Sequence, residues 1–292
     1  MEMTSGEPAD EGAGVRRIVV CADDFGMDPA INDGVIALAR AGRLSAVGCL
    51  THAPAFRPDA ARLRDTDVDA GVHLNFTEAL GQPGLYLPLP RLIGFAYARL
   101  LDSGRVTRQI ERQLDAFESA MGRAPDFIDG HQHVHQLPQI RTALLGVLAR
   151  RYLGKGPWLR STLPGRLDGL PAPLRRKARL IGALGAGPLV RAATTAGLRT
   201  NRRLLGVYDF LGGAQAYGDL LVLWLRNACD GDLLMCHPAL PAAGGRGMAA
   251  QRGAEYQVLS KPGLAEWLLR HRLRIERMSD QASITLRANA SR

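Results

Sequence analysis

Two adjacent acids, Asp23 and Asp24, close an apolar run that begins Val-Val-Cys-Ala at residue 19. A strand that runs into paired carboxylates delivers them to one edge of a sheet, where side chains meet ligand. Successive strand residues point to opposite faces, so the two acids share a pocket only if the backbone turns at the strand end. The chemistry that suits such a pair is a metal ligand beside a proton-transfer group; the plainer reading is a pair that caps the next helix. Histidines strengthen the first reading. His73, His131, His133, His135 and His237 all fall at or just after strand-like runs, and His52 lies next to the end of another. In a barrel of parallel strands the carboxyl ends form one rim, and active sites sit on it. Asp23, Asp24, His73, His131 and His237 would then converge. Carboxylate and neutral imidazole are good ligands for a divalent ion, and one Asp with two His leaves coordination positions open for catalysis. The segment 129–135, Asp-Gly-His-Gln-His-Val-His, would project alternate histidines to one side if it were a strand. Spacing alone does not choose among His131, His133 and His135.

The elements that must position these residues alternate along the chain. Strands are predicted at 17–22, 45–51, 70–75, 127–133, 158–161, 204–207, 233–236 and 273–277. Helical spacing of apolar residues predicts helices at 30–41, 106–121, 140–151, 220–228 and 264–270, the first ended by Gly42. Residues 81–90 read as a Gly/Pro-rich loop. Alternating strands and helices imply a parallel sheet with helices on its faces, and seven or eight such units fit a closed or partly closed barrel. The expected fold is therefore α/β, a single (β/α) barrel-like domain over 15–280. Residues 1–14 read as a disordered lead-in, 281–292 as a tail, and 164–203 as a basic insertion, a helical hairpin over the site.

At 292 residues, with 46% apolar and 22% charged residues, the chain is an ordinary globular protein of single-barrel length. Cys21, Cys49, Cys229 and Cys236 form no C-x-x-C pair, which excludes a zinc ribbon or redox motif and favours a reducing compartment. The acidic N-terminus lacks the apolar core of a secretory signal, and no run approaches the roughly 18 apolar residues of a membrane span. A cytoplasmic location follows as the expectation. The net charge of +9 is concentrated in 151–210, where twelve Lys/Arg face only Asp168 and Asp209. Such a block suits an anionic membrane surface, a phosphate-bearing or lipid-linked sugar, or simply solvent. No nucleic-acid motif is present, so no nucleic-acid partner is expected.

Four segments taken together resemble a known family. Ala-Asp-Asp-Phe-Gly at 22–26, Gly-Val-His-Leu-Asn at 71–75, Asp-Gly-His-Gln-His-Val-His at 129–135 and Met-Cys-His-Pro-Ala at 235–239 look like the signature segments of the YdjC-like carbohydrate deacetylases, in the same order. That family includes chitooligosaccharide deacetylases and deacetylases associated with hopanoid biosynthesis. The resemblance implies a (β/α) barrel-like fold and metal-dependent removal of acetyl from an N-acetylated sugar. Carried over by position, it makes Asp24, His73 and His131 the metal ligands, Asp23 the general base, and His237 the acid or oxyanion partner. It implies one divalent ion; ligand softness favours Zn²⁺, and the family Mg²⁺ at least as often. Residues 151–210 match no segment of the family, which leaves substrate choice open. A homo-oligomer is a further expectation. The competing readings are a metal-dependent hydrolase of another sugar-associated bond and a non-catalytic carbohydrate-binding barrel. A glycosidase needs two carboxylates spaced across a sugar, which adjacent Asp23 and Asp24 do not supply.

Overall fold

The computed structural model describes residues 14–154, 156–241 and 245–281. The chain opens with β1 (Arg16–Phe25), α1 (Pro29–Arg40), β2 (Ala46–Cys49), α2 (Phe56–Arg64) and β3 (Asp69–Leu74). It continues with α3 (Leu89–Ala98), α4 (Ser103–Met121), β4 (Phe127–Gly130), a 3-10 turn (His131–Gln136) and α5 (Pro138–Arg151). Then come β5 (Trp158–Leu159), the hairpin α6 (Ala172–Ala183) and α7 (Ala186–Thr195), and β6 (Leu204–Leu205). The last elements are α8 (Gly213–Asn227), β7 (Leu233–Cys236), α9 (Met248–Leu259), α10 (Gly263–Arg270) and β8 (Leu273–Ile275).

All strand pairs are parallel, in the spatial order β5-β4-β3-β2-β1-β7-β6, with β8 against the start of β1. The sheet curls into an incomplete barrel. Its two edges are linked by isolated parallel bridges, Leu159 to Thr200 and Pro164 to Leu204. Both faces are covered, as parallel sheets require. Along β1, Ile18, Val20 and Ala22 join the core under the helices. Val19 and Cys21 join a smaller core inside the barrel with Phe127, Trp158, Leu233 and Met235. Phe127 stacks on Trp158 at 4.3 Å, and Gly71 makes the room, because a Cβ there would lie 2.4 Å from the Phe127 ring.

The expected α/β barrel-like architecture is therefore present, with four local corrections. The fourth strand stops at Gly130 instead of continuing to residue 133. Gln132 (φ 53°) and His133 (φ 61°) adopt left-handed backbone, which folds the histidine segment into a turn. Three helices join those expected. α2 places Phe56, Ala60 and Leu63 inward despite Pro58. α3 begins at Leu89, inside the stretch read as loop. α9 buries Gln251, Arg252 and Glu255 alongside Ala254, Val258 and Leu259, so polar residues interrupt the apolar period of its inner face. The hairpin expected within 164–203 is formed by α6 and α7, packed through Leu174, Ala178, Leu189 and Ala193. Apart from Gly14 and Gln281, the lead-in and the tail lie outside the described residues.

Candidate metal centre and active site

How one strand presents two neighbouring carboxylates to one pocket is settled by a bulge. β1 pairs with β2 in regular register through Ala22 and Val47, then shifts so that Phe25 meets Cys49. One extra residue is thereby inserted into β1, and Asp24 takes it up with φ 68°. Left-handed backbone is uncommon outside glycine, though Asp tolerates it better than most residues, and bulges cluster where a side chain must be re-aimed. Both acids are buried, Asp23 at 2% and Asp24 at 1% exposure. Directly after the pair, Asn32 of α1 accepts from the Gly26 amide and donates to Ala55 O, fixing the turn.

Asp24 Oδ1 lies 3.0 Å from His131 Nδ1 and 3.5 Å from His73 Nε2. One ligand atom from each of Asp24, His73 and His131 falls within 4.8 Å of the others. Two donors on one ion with bonds of about 2.1 Å sit about 3.0 Å apart at right angles and about 3.4 Å apart at the tetrahedral angle. The donor chemistry and spacing thus fit a single divalent ion. Electrostatics agree. Burial alone would lower the His131 pKa, but Asp24 and Glu78 outweigh it and push it up to about 10. His73 is likewise raised against its burial, by Asp129 and Asp23. The cluster draws positive charge, and an ion that binds such groups displaces protons from them.

A buried polar scaffold orients these groups. His73 Nδ1–H donates to Asp129 Oδ1 at 2.7 Å, which turns Nε2 toward Asp24. Asp129 is ion-paired with Arg160 at 2.6 Å. Arg160, fully buried, donates through Nη1 and Nη2 to the two oxygens of Asp23, both at 2.6 Å. Burial opposes ionisation of Asp23, yet Arg160 and His73 hold its carboxyl well below the usual range. A second cluster of possible donors, Cys21, Asp23 and Asp129, is already occupied by that guanidinium, whose Nη2 lies 2.9 Å from Cys21 Sγ. Gly48 on β2 leaves the space, since a Cβ there would lie 3.2 Å from His73 Nδ1.

His237, just past β7, lies beside the pair, with Nε2 3.9 Å from Asp23 Oδ2. Its ring packs edge-on against Phe210 at 4.8 Å, and its backbone N–H donates to Glu255 Oε2 at 2.6 Å. Burial pushes the His237 pKa down to about 4, so it rests neutral at pH 7.

All five residues singled out from the sequence therefore lie in one place. Of the three alternating histidines, the turn brings His131 to Asp24. His135 Nε2–H donates to Arg160 O at 2.9 Å and supports the scaffold. His52 bonds the Arg112 carbonyl, and His271 stacks on Trp267, both away from the cluster. Sequence reasoning missed Arg160, Glu78, Arg252 and Glu255. Arg160 had a visible signal, a basic residue inside a predicted strand. Arg252, whose Nη2 lies 2.5 Å from Asp24 Oδ2, and Glu255 sit on a helix the apolar pattern did not reveal.

The parallel α/β half-barrel with a rim-mounted Asp/His cluster defines the class. Residues 17–270 match the profile described as YdjC-like protein, and the chain belongs to that family. Carbohydrate deacetylase of Mus musculus is 29% identical over 302 residues, covering 90% of this chain and 94% of the relative. Carbohydrate deacetylase of Geobacillus stearothermophilus is 29% identical over 85% of this chain and 91% of its own. Chitooligosaccharide deacetylase of Citrobacter koseri is 31% identical over 55% and 66%. Among solved structures, an Enterococcus faecalis V583 protein described as a candidate cellobiose-phosphate cleavage protein superposes with TM-score 0.64 at 19% identity, covering 92% of this chain and 99% of that one. The Bc1960 peptidoglycan N-acetylglucosamine deacetylase gives 0.51 at 11% identity. Those two similarities establish the shared fold.

Proposed function

We propose that this protein is a carbohydrate deacetylase, a hydrolase that removes acetyl from the amide of an N-acetylated sugar or oligosaccharide with the help of one divalent ion, Mg²⁺ or Zn²⁺. The observation that carries the reading is the convergence of Asp24, His73 and His131 on one point, with Asp23 adjacent in sequence to Asp24 and His237 within 3.9 Å of Asp23. Asp24, His73 and His131 would hold the ion, which when bound lowers the pKa of water and polarises a carbonyl. Asp23 is the group placed to accept a proton from the attacking water. Arg160 keeps it ionised and fixes its direction, at some cost in basicity. His237 delivers a proton to the departing amine. Because it rests neutral, it must first receive that proton, and Asp23 Oδ2 at 3.9 Å is the nearest source among the site's acids.

The basic hairpin supports a packed wall more than a membrane arm. Arg175 and Lys177 are engaged with the Leu170 and Tyr208 carbonyls, leaving Arg176, Arg179 and Arg191 exposed. Among the described residues no helix is long and apolar enough to cross a membrane. Four free cysteines are in keeping with a cytoplasmic enzyme. Acetate release, assayed with and without chelator over acetylated chitooligosaccharides and lipid-linked sugars, tests the proposal. Chelator-sensitive release from at least one amide substrate is expected; release of phosphate or reducing sugar alone would favour another hydrolase, and binding without turnover a carbohydrate-binding barrel.

A further inference from the structure

His131 is backed by a carboxylate that neither the sequence motifs nor the comparisons assign. Its Nδ1 faces Asp24, and its Nε2 lies 3.1 Å from Glu78 Oε1 on the opposite side of the ring. Without an ion the imidazolium donates to both acids; an ion bound at the point shared with His73 would displace the Nδ1 proton, leaving Nε2–H on Glu78 and the Nδ1 lone pair free for the metal. The same arrangement recurs at His73, whose Nδ1–H is taken by Asp129 while Nε2 turns to the centre. Each histidine of the cluster is thus clamped by an acid behind it, in the pattern by which outer carboxylates orient metal-binding imidazoles and raise their basicity.

The loop after β3 holds Glu78 in place. Asn75 Oδ1 accepts from the amides of Thr77 and Glu78, both at 3.0 Å, and Asn75 Nδ2 donates to Glu78 O at 2.6 Å. Asn75 is in turn fixed to α4, where Gln113 Oε1 accepts from Asn75 N at 2.8 Å and Gln113 Nε2 donates to Asn75 O at 3.2 Å. Gln113 is buried at 1% exposure, so this polar pair sits in the core for no evident reason other than to set the loop. The two clamps differ in setting. Asp129 is sealed in and paired to Arg160, whereas the Glu78 side chain is 41% exposed at the rim.

We propose that Glu78 is a positioning residue of the metal centre, holding His131 in the tautomer and orientation that present Nδ1 to the ion. The inference rests on the reading of Asp24, His73 and His131 as ligands. It adds that the affinity of the site is set in part from the exposed loop 75–78, through a residue that does not itself bind the ion.

Titration calorimetry with Zn²⁺ on the full chain, together with the visible spectrum of the Co²⁺-loaded protein, tests this. E78A is expected to weaken Zn²⁺ binding about 10–100-fold while leaving the Co²⁺ band positions unchanged, because the ligand set is the same. E78Q keeps an acceptor for Nε2–H, so its loss should be smaller than that of E78A. The melting temperature of the metal-free variants should match that of the parent. If E78A does not fold, E78M fills the same space without an acceptor and is read in the same way. Wild-type affinity in E78A or E78M overturns the proposal, and so does a changed Co²⁺ spectrum in E78Q, which would make Glu78 a ligand. H131A separates the two levels: if it still binds Zn²⁺ at parental affinity, the ligand reading itself fails, whereas loss in H131A with none in E78A removes only Glu78.

Discussion

Arg160 grips Asp23 with two parallel hydrogen bonds of 2.6 Å and reaches Asp129 at the same distance, without any exposure to water. One guanidinium therefore neutralises the acid proposed to move protons and the acid that orients His73. Arginine suits this place because its planar fork matches a carboxylate edge to edge.

Replacing Arg160 by Met should leave two buried carboxylates without their cation. Stripping one partner from a buried pair costs about 3–5 kcal/mol, so urea unfolding should show a loss of that order. Arg160→Lys keeps the charge but not the fork, and should lower kcat more than it lowers metal content. A Lys variant with parental kcat would show that the two-point grip on Asp23 is dispensable.

Replacing Asp24, His73 or His131 by Ala should reduce metal content and activity together, as measured by elemental analysis and acetate release. His133→Ala should retain metal. His135→Ala should retain it too, but lose stability on the order of 1–3 kcal/mol because the Arg160 carbonyl is left unpaired. Full metal in His131→Ala combined with loss in His133→Ala would reverse the assignment.

Asp23→Asn should keep the ion and lower kcat by about 10²–10⁴, the usual contribution of a placed proton-transfer group. If the metal is lost instead, Asp23 belongs to the coordination shell and the base lies elsewhere.

Burial pushes Glu255 up to about 7, against the hydrogen bonds it accepts from Tyr208 and the His237 amide. The folded carboxyl keeps its proton where the unfolded one, near its ordinary 4.5, has released it. Glu255 therefore contributes stability that is complete below about pH 4.5 and is lost as pH rises through about 7. At 1.36 kcal/mol per pKa unit the swing is about 3 kcal/mol. The stability difference between parent and Glu255→Gln should change by roughly 2–3 kcal/mol from pH 5 to pH 8 in urea unfolding. A difference that stays constant across that range removes Glu255 from the titrating groups.

Much of this site was legible from residue order because its anchors follow apolar strands. The run into Asp23 and Asp24, the strand that carries His73 one residue before its end and the strand ending at Cys236 before His237 all announce their position by hydrophobicity. Choosing among His131, His133 and His135 was beyond that signal, since the choice is made by left-handed backbone at Gln132 and His133, where neither residue is glycine. α9 escaped for the opposite reason. Its buried face contains Gln251, Arg252 and Glu255, polar because that face serves the site, so the residues that make it useful interrupt its amphipathic period. Glu78 gave no signal of its own, because its partner His131 is 53 positions away.

The bulge in β1 has a consequence for recognising such sites elsewhere. On a regular strand, two acids facing the same side must be alternate residues, which places their backbones about 6.6 Å apart along the chain direction. Here consecutive residues share the pocket, and the inserted position takes up the turn that would otherwise send Asp24 to the helix side. Register, not composition alone, is what puts Asp23 and Asp24 side by side in one pocket. Distant chains that keep this division of labour should carry adjoining acids at the end of their first strand, followed closely by a glycine, and not an acid at every second position.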